Sequence, residues 1–251
     1  HGIKAFDKDA VETSLRDVGM AEGRIFDQAT LDRADQELRR QYLARGYYGV
    51  KIKTIATPLE RNRVRITINV DEGRASSIAS IRFTGNHLFE ADDLLDQMQL
   101  GMPNWFSWYT KRDLYSREKL AADLETIRSF YMNQGYLDFK IDSVQVSIAP
   151  NKSDVYITIN MTEGEKYTIA GAKLTGDLLG IDEELNKLLT LKAGEIYSAE
   201  QVNNVSTALV DKLSTLGYAF ATATPNPIAD RENRTVEVVY TIDPGRRAYV
   251  R

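Results

Sequence analysis

The chain has 251 residues, 43% apolar and 27% charged, with a net charge of −4 and no cysteine. That balance is ordinary globular protein. It excludes disulfides, thiolate metal sites and cysteine nucleophiles, and it argues against a nucleic-acid binder. No apolar run approaches the roughly 18 residues that a membrane-spanning helix needs.

Read in chain order, the first regular signal is a helix whose apolar stripe is Leu31, Ala34, Leu38 and Tyr42, stopped at Gly46. Two strands follow within 47–70, with Val50, Ile52 and Ile55 in the first. IASIRFTGN reads as a third strand closed by a Gly-Asn turn, and EADDLLDQMQL as a short helix with acids in its first turn, where the helix dipole favours them. The next helix has Ser116 as its N-cap, a stripe of Leu120, Leu124, Ile127 and Tyr131, and Gly135 as its left-handed C-terminal residue. FKIDSVQVSI and DVYITINM are strands joined at APNKS. A last helix carries Val202, Val205, Leu209 and Leu213 before Gly217.

These elements recur. Gly46, Gly135 and Gly217, each followed by Tyr, are 89 and 82 residues apart. Gly73, Gly164 and Gly245, in the turns DEGR, TEGE and DPGR, are 91 and 81 apart, and Gly85 and Gly176 are 91 apart. Three markers in one order and nearly one period identify an array of homologous β-α-α-β-β units. The predicted fold class is α+β, three tandem domains, each a three-stranded mixed sheet covered by two helices. The expected divisions are 1–76, 77–165 and 166–251, the first domain lacking its first strand. The unit pattern breaks off at both ends, so the chain is expected to be a stretch of a longer array.

Little in the sequence suggests chemistry. His1 and His87 are the only histidines, so no His-based triad or two-His metal site is expected. The acid pairs Asp92-Asp93 and Glu183-Glu184 fall in first helical turns, where they complement the dipole. The β-α-α-β-β order is shared with KH modules, but the single GxxG, Gly46 to Gly49, stands at a helix-strand junction and holds no basic residue. No catalytic residue, metal, cofactor or nucleic acid is expected.

Two features read as interaction signals. The middle unit has a longer inter-helix segment containing Trp105, Phe106, Trp108 and Tyr109, a candidate partner or inter-domain contact. The second is a change of phase. Phe139 and Ile141 are followed by Val144, Val146 and Ile148, which predicts a β-bulge near Asp142-Ser143; Val50, Ile52 and Ile55 predict another in the first unit. Bulges favour sheet edges. The strand after Gly-Tyr is therefore expected at an edge, with the unit's last strand central, and Asp142, Ser143, Val144, Gln145, Val146, Ser147 and Ile148 are the candidate strand-docking residues.

The stretches TPLERNRV, KLAADLETIRSFY, GYLDFKIDSVQVS and NMTEGEKY, with the GN/GD, GY and EG turns in this order, resemble POTRA (polypeptide-transport-associated) domains. The resemblance runs from Gly2 to Arg251. It is closer to the periplasmic arrays of outer-membrane β-barrel assembly proteins than to POTRA domains at large, and by order along the array it resembles their second, third and fourth units. It implies a periplasmic, non-enzymatic scaffold that binds unfolded outer-membrane proteins and accessory lipoproteins by β-strand augmentation, a BamB-like lipoprotein at the middle unit. It also implies a parent chain that continues into a further POTRA unit and a membrane β-barrel. A POTRA array of a secretion or translocation porin is the alternative.

Overall fold

The computed structural model describes residues 1–103 and 112–247. In chain order the described elements are α1 (Lys8–Asp17), α2 (Gln28–Ala44), β1 (Lys51–Leu59), β2 (Arg63–Asp71), β3 (Ser77–Thr84), α3 (Ala91–Asp96), α4 (Arg117–Asn133), β4 (Lys140–Ile148), β5 (Asp154–Thr162), β6 (Thr168–Gly176), α5 (Asp182–Asn186), α6 (Ala199–Thr215), β7 (Thr222–Asp230) and β8 (Thr235–Asp243). The strands make a two-stranded sheet, β1-β2, and two three-stranded sheets ordered β3-β5-β4 and β6-β8-β7. In the third repeat β6 runs parallel to β8 and β7 antiparallel to it, so the sheet is mixed. The last strand of that repeat is central and the strand after Gly-Tyr is at the edge, as the sequence predicts.

Local chemistry sets the helix boundaries. Asp27 caps α2 by accepting the N–H groups of Ala29 and Thr30, and the Ser198 hydroxyl accepts from Gln201 at the start of α6. Leu31, Ala34, Leu38 and Tyr42 bury one side of α2, and Val202, Val205, Leu209 and Leu213 one side of α6. Each fully buried aliphatic side chain there contributes about 1.5–3 kcal/mol. In α4 the buried positions are Leu120, Asp123, Ile127 and Tyr131, while Leu124 is only half-buried. A carboxylate thus holds the position that Ala34 and Val205 hold in the other repeats. It is satisfied there, because it accepts the N–H groups of Gln99 (2.7 Å) and Leu100 (2.9 Å).

By compactness the chain divides within its middle repeat. One unit is His1–Phe83 with Met98–Leu124 and Val144–Ile159; the other is Thr84–Gln97 with Glu125–Ser143 and the chain from Asn160 onward. In the first unit, Val11, Leu38, Tyr42, Val50 and Val70 form the first repeat's core. Phe6 and Tyr47 meet Tyr42 edge-on, and the Arg45 guanidinium lies over Phe6. The Gly46 carbonyl, at the end of α2, accepts the N–H of Ser76, whose own carbonyl accepts the N–H of Tyr115.

The second unit repeats that backbone pattern. The Gly135 carbonyl accepts from Tyr167, whose carbonyl accepts from Tyr197. Here side chains are added to it. The Tyr167 hydroxyl and Arg231 both donate to Asp138, at 2.8 and 3.2 Å. Asn133 accepts the N–H of Glu200 in the first turn of α6. The core of the third repeat is built on Tyr167, Ile169, Leu209, Leu213, Val236, Val238 and Tyr240.

One expectation fails. The β1–β2 register runs without interruption from Lys51↔Asp71 to Leu59↔Arg63, so β1 holds no bulge. Ile55 is 40% exposed. Thr54 takes the sheltered position beside it, because its hydroxyl donates to Asp35 of α2. The sequence pattern followed the apolar residue; a side-chain hydrogen bond placed the polar one inward.

Candidate functional site

Among the described residues β4 pairs with β5 alone, so its outer row of N–H and C=O groups is unpaired. Neighbouring residues of a strand turn these groups to opposite sides, so in the stretch 144–148 every second residue presents a donor and an acceptor outward. The edge has no proline along its length. Such a row binds an incoming extended chain through its backbone and demands little of its sequence.

The candidate residues are not equivalent. Asp142 accepts the Thr162 hydroxyl at 2.6 Å and pairs with Lys140 at 3.2 Å. These contacts, the Thr162 bond foremost, hold its carboxyl below the usual range. Ser143 accepts the Asn160 amide at 2.7 Å. Both side chains are therefore engaged on β5, and what they leave for a partner is backbone. Val144 is half-buried. Val146 and Ile148 are 38% and 39% exposed, and Tyr156 of β5 is 46% exposed. Gln145 and Ser147 are exposed. The sheltered positions run Phe139, Ile141, Val144, which keeps the change of parity seen in the sequence. Trp105, Phe106, Trp108 and Tyr109 lie outside the described residues. Flanking them, Gly101 donates to the Arg112 carbonyl, and the Arg112 guanidinium donates to the carbonyls of Met98 and Gln99.

Sequence reading missed the polar locks behind this surface. The Tyr131 hydroxyl donates to Glu163 at 2.7 Å, and Glu163 also accepts the N–H groups of His87 and Leu88. In the first repeat Glu72 accepts from Tyr42 (2.7 Å), Lys4 (2.7 Å) and Ala5 (2.8 Å) in the same way. Burial, reinforced by the glutamate, raises both tyrosines. The signal was present: the glutamate precedes the marker glycine in DEGR and TEGE, and the tyrosine lies four residues before Gly46 and Gly135. Asp123 carries no such signal, since a single acid beside an apolar stripe reads in sequence as solvent-facing.

Glu72 makes a pH prediction. Burial works to raise its pKa, but the N–H groups of Ala5 and Lys4 and the Tyr42 hydroxyl outweigh it and hold the carboxyl below its ordinary value of 4.5. A depressed folded-state pKa means stability that is present above the unfolded value and lost as pH falls through the folded one. Glu72→Gln is therefore expected to melt below the parent at about pH 7, with the gap narrowing below about pH 4. Thermal melts of both proteins across that range test this, and an unchanging gap would show that ionised Glu72 is not what the lock needs.

Two shallow clefts open in the first repeat. The larger, about 820 Å³, is lined by Met20, Phe26, Leu59, Val64 and Ile66 among others. No group of three or more His, Asp or Glu side chains among the described residues is placed to hold a metal ion.

The chain matches the POTRA family model, described as "Surface antigen variable number repeat", over residues 1–73, 76–164 and 167–245. The outer membrane protein assembly factor BamA of Neisseria meningitidis serogroup B is 34% identical over 250 residues, 99% of this chain and 31% of that protein. BamA of Buchnera aphidicola is 26% identical over 239 residues, 94% of this chain and 38% of that protein. The chain thus spans 31% and 38% of the length of these two relatives. Among solved structures, POTRA3-5 of Haemophilus influenzae BamA superposes with a TM-score of 0.60 at 30% identity, covering 68% of this chain and 67% of that one. Haemophilus ducreyi BamA lacking POTRA domains 1-3, at 17% identity and a TM-score of 0.50, agrees in fold alone.

Proposed function

The chain belongs to the POTRA family, and on that premise we propose that it is a periplasmic, non-enzymatic scaffold of an outer-membrane β-barrel assembly factor. It is read as three POTRA domains, 1–76, 77–165 and 166–251, second to fourth in the array. A shared 68% with POTRA3-5 of the Haemophilus influenzae protein fits an overlap of two domains in three. The parent chain continues into a further POTRA unit and a membrane barrel. Unfolded outer-membrane proteins add to the edge of β4 as an extra strand, and a BamB-like lipoprotein docks on the same repeat. The relatives' names favour assembly over translocation. The observation that carries the mechanism is the unpaired edge of β4.

The test uses a fluorescent ten-residue peptide of alternating apolar and polar residues, the pattern of a membrane-barrel strand. Gln145→Pro and Val146→Pro are each made in the full chain. Adjacent residues face opposite sides, so one of the two removes an outward donor whatever the local parity. That variant is expected to lose about tenfold or more in peptide affinity while its circular dichroism is kept, because an edge strand tolerates an outward proline. Gln145→Ala is expected to bind as the parent does. Parental affinity in both folded proline variants would end this reading.

A further inference from the structure

The edge strand of the third repeat, β7, has the sequence TATPNPIAD, with prolines at 225 and 227. Its register with β8 is nonetheless uninterrupted, Pro225 facing Tyr240 and Pro227 facing Val238. Proline has no N–H to give. Two residues apart, both nitrogens point to the same side of the strand. Turned towards β8 they would remove two ladder bonds, and prolines in sheets are found with their nitrogen on the unpaired side. A second observation agrees. Ala223 shares their parity, and its carbonyl accepts the Ser206 hydroxyl of α6. That side of β7 therefore lacks donors at two successive outward positions and has an acceptor already occupied. β4, the strand at the corresponding edge of the middle repeat, has no proline.

We infer that Pro225 and Pro227 close the third repeat to strand addition, so that an extended polypeptide adds at β4 and not at β7. The role of β4 rests on the function proposed above; the closure of β7 does not. An incoming strand aligned with β7 would leave two of its own carbonyls without donors at consecutive bonding positions, an unfavourable state for buried polar groups. The device selects by backbone, so it acts on any sequence.

The test is the stoichiometry of the same ten-residue peptide, fitted with a photo-crosslinker, on the full chain and on Pro225→Thr/Pro227→Thr. Counted by crosslinks within 140–148 and 222–230, the parent is expected to bind one peptide and the double variant two, the second at 222–230. One peptide on both proteins overturns the inference. A parent that binds none, with a double variant that binds one at 222–230, would remove the β4 reading and leave this one standing. None on either removes both. Should the double variant fail to fold, amide exchange in the parent decides. Slow exchange at Thr224, Asn226 and Ile228 with fast exchange at Ala223 and Ala229 is expected, and the reverse pattern overturns the orientation on which the closure depends.

Discussion

Glu163→Ala is expected to destabilise the middle repeat by about 3 kcal/mol or more. The side chain is only 6% exposed. Its two oxygens receive the N–H groups of His87 and Leu88 and the hydroxyl of Tyr131. Removing the carboxylate leaves three donors in a place water reaches poorly, and each unsatisfied group costs about 1–3 kcal/mol. Tyr131→Phe should cost less, since Glu163 keeps its backbone partners. The third repeat shows how the lock is dispensed with. Leu213 stands where Tyr131 does and Pro244 where Glu163 does. The loop after β6 is served instead by Asp177, which accepts the N–H of Leu179. The third repeat thus differs from the middle one at all three positions. Asn86→Asp/Tyr131→Leu/Glu163→Pro is therefore expected to recover a good part of what Glu163→Ala loses. Denaturant unfolding of the set, with hydrogen exchange to assign the loss to the middle repeat, measures both claims. A Glu163→Ala penalty below about 1 kcal/mol would mean that these bonds are weak or readily replaced by water.

Gly85→Ala is expected to be as severe, for a backbone reason. Gly85 has φ +90°, and a Cβ built there would lie 2.0 Å from the Met161 carbonyl oxygen. The left-handed conformation alone costs a non-glycine residue about 1–2 kcal/mol. The collision adds to that, because the obstacle is the backbone of the central strand and cannot rotate away. The same approach is made by Gly176 to Ile242, at 2.2 Å. Two controls separate the contributions. Gly194 has φ +88° and open space around it, so Gly194→Ala should show only the conformational cost. Gly171 has neither constraint, so Gly171→Ala should be nearly neutral. Melting temperatures in the order Gly171→Ala, Gly194→Ala, Gly85→Ala, highest first, are expected. Equal losses at Gly85 and Gly194 would show that the close approach relaxes at little cost.

Periodicity by itself determined the array, the β-α-α-β-β unit and the glycine-ended helices. All of these depend on local rules: the helical and strand periods, left-handed glycine, and one marker order repeated at nearly one spacing. A change of parity led to the expected edge position, but β1 and β7 stand at edges with uninterrupted registers, so strand pairing and not parity decides it. Tertiary structure decided what depends on partners distant in the chain. Thr54 rather than Ile55 faces inward because Asp35 of α2 is there to accept its hydroxyl. Asp123 is buried on an apolar stripe because Gln99 and Leu100 bring it two N–H groups. Tyr131 and Glu163, 32 residues apart, meet only once the helix lies on the sheet. The composition of a segment records its solvent preference, but a buried polar group is set by the geometry of its partner, and that geometry exists only in the folded chain.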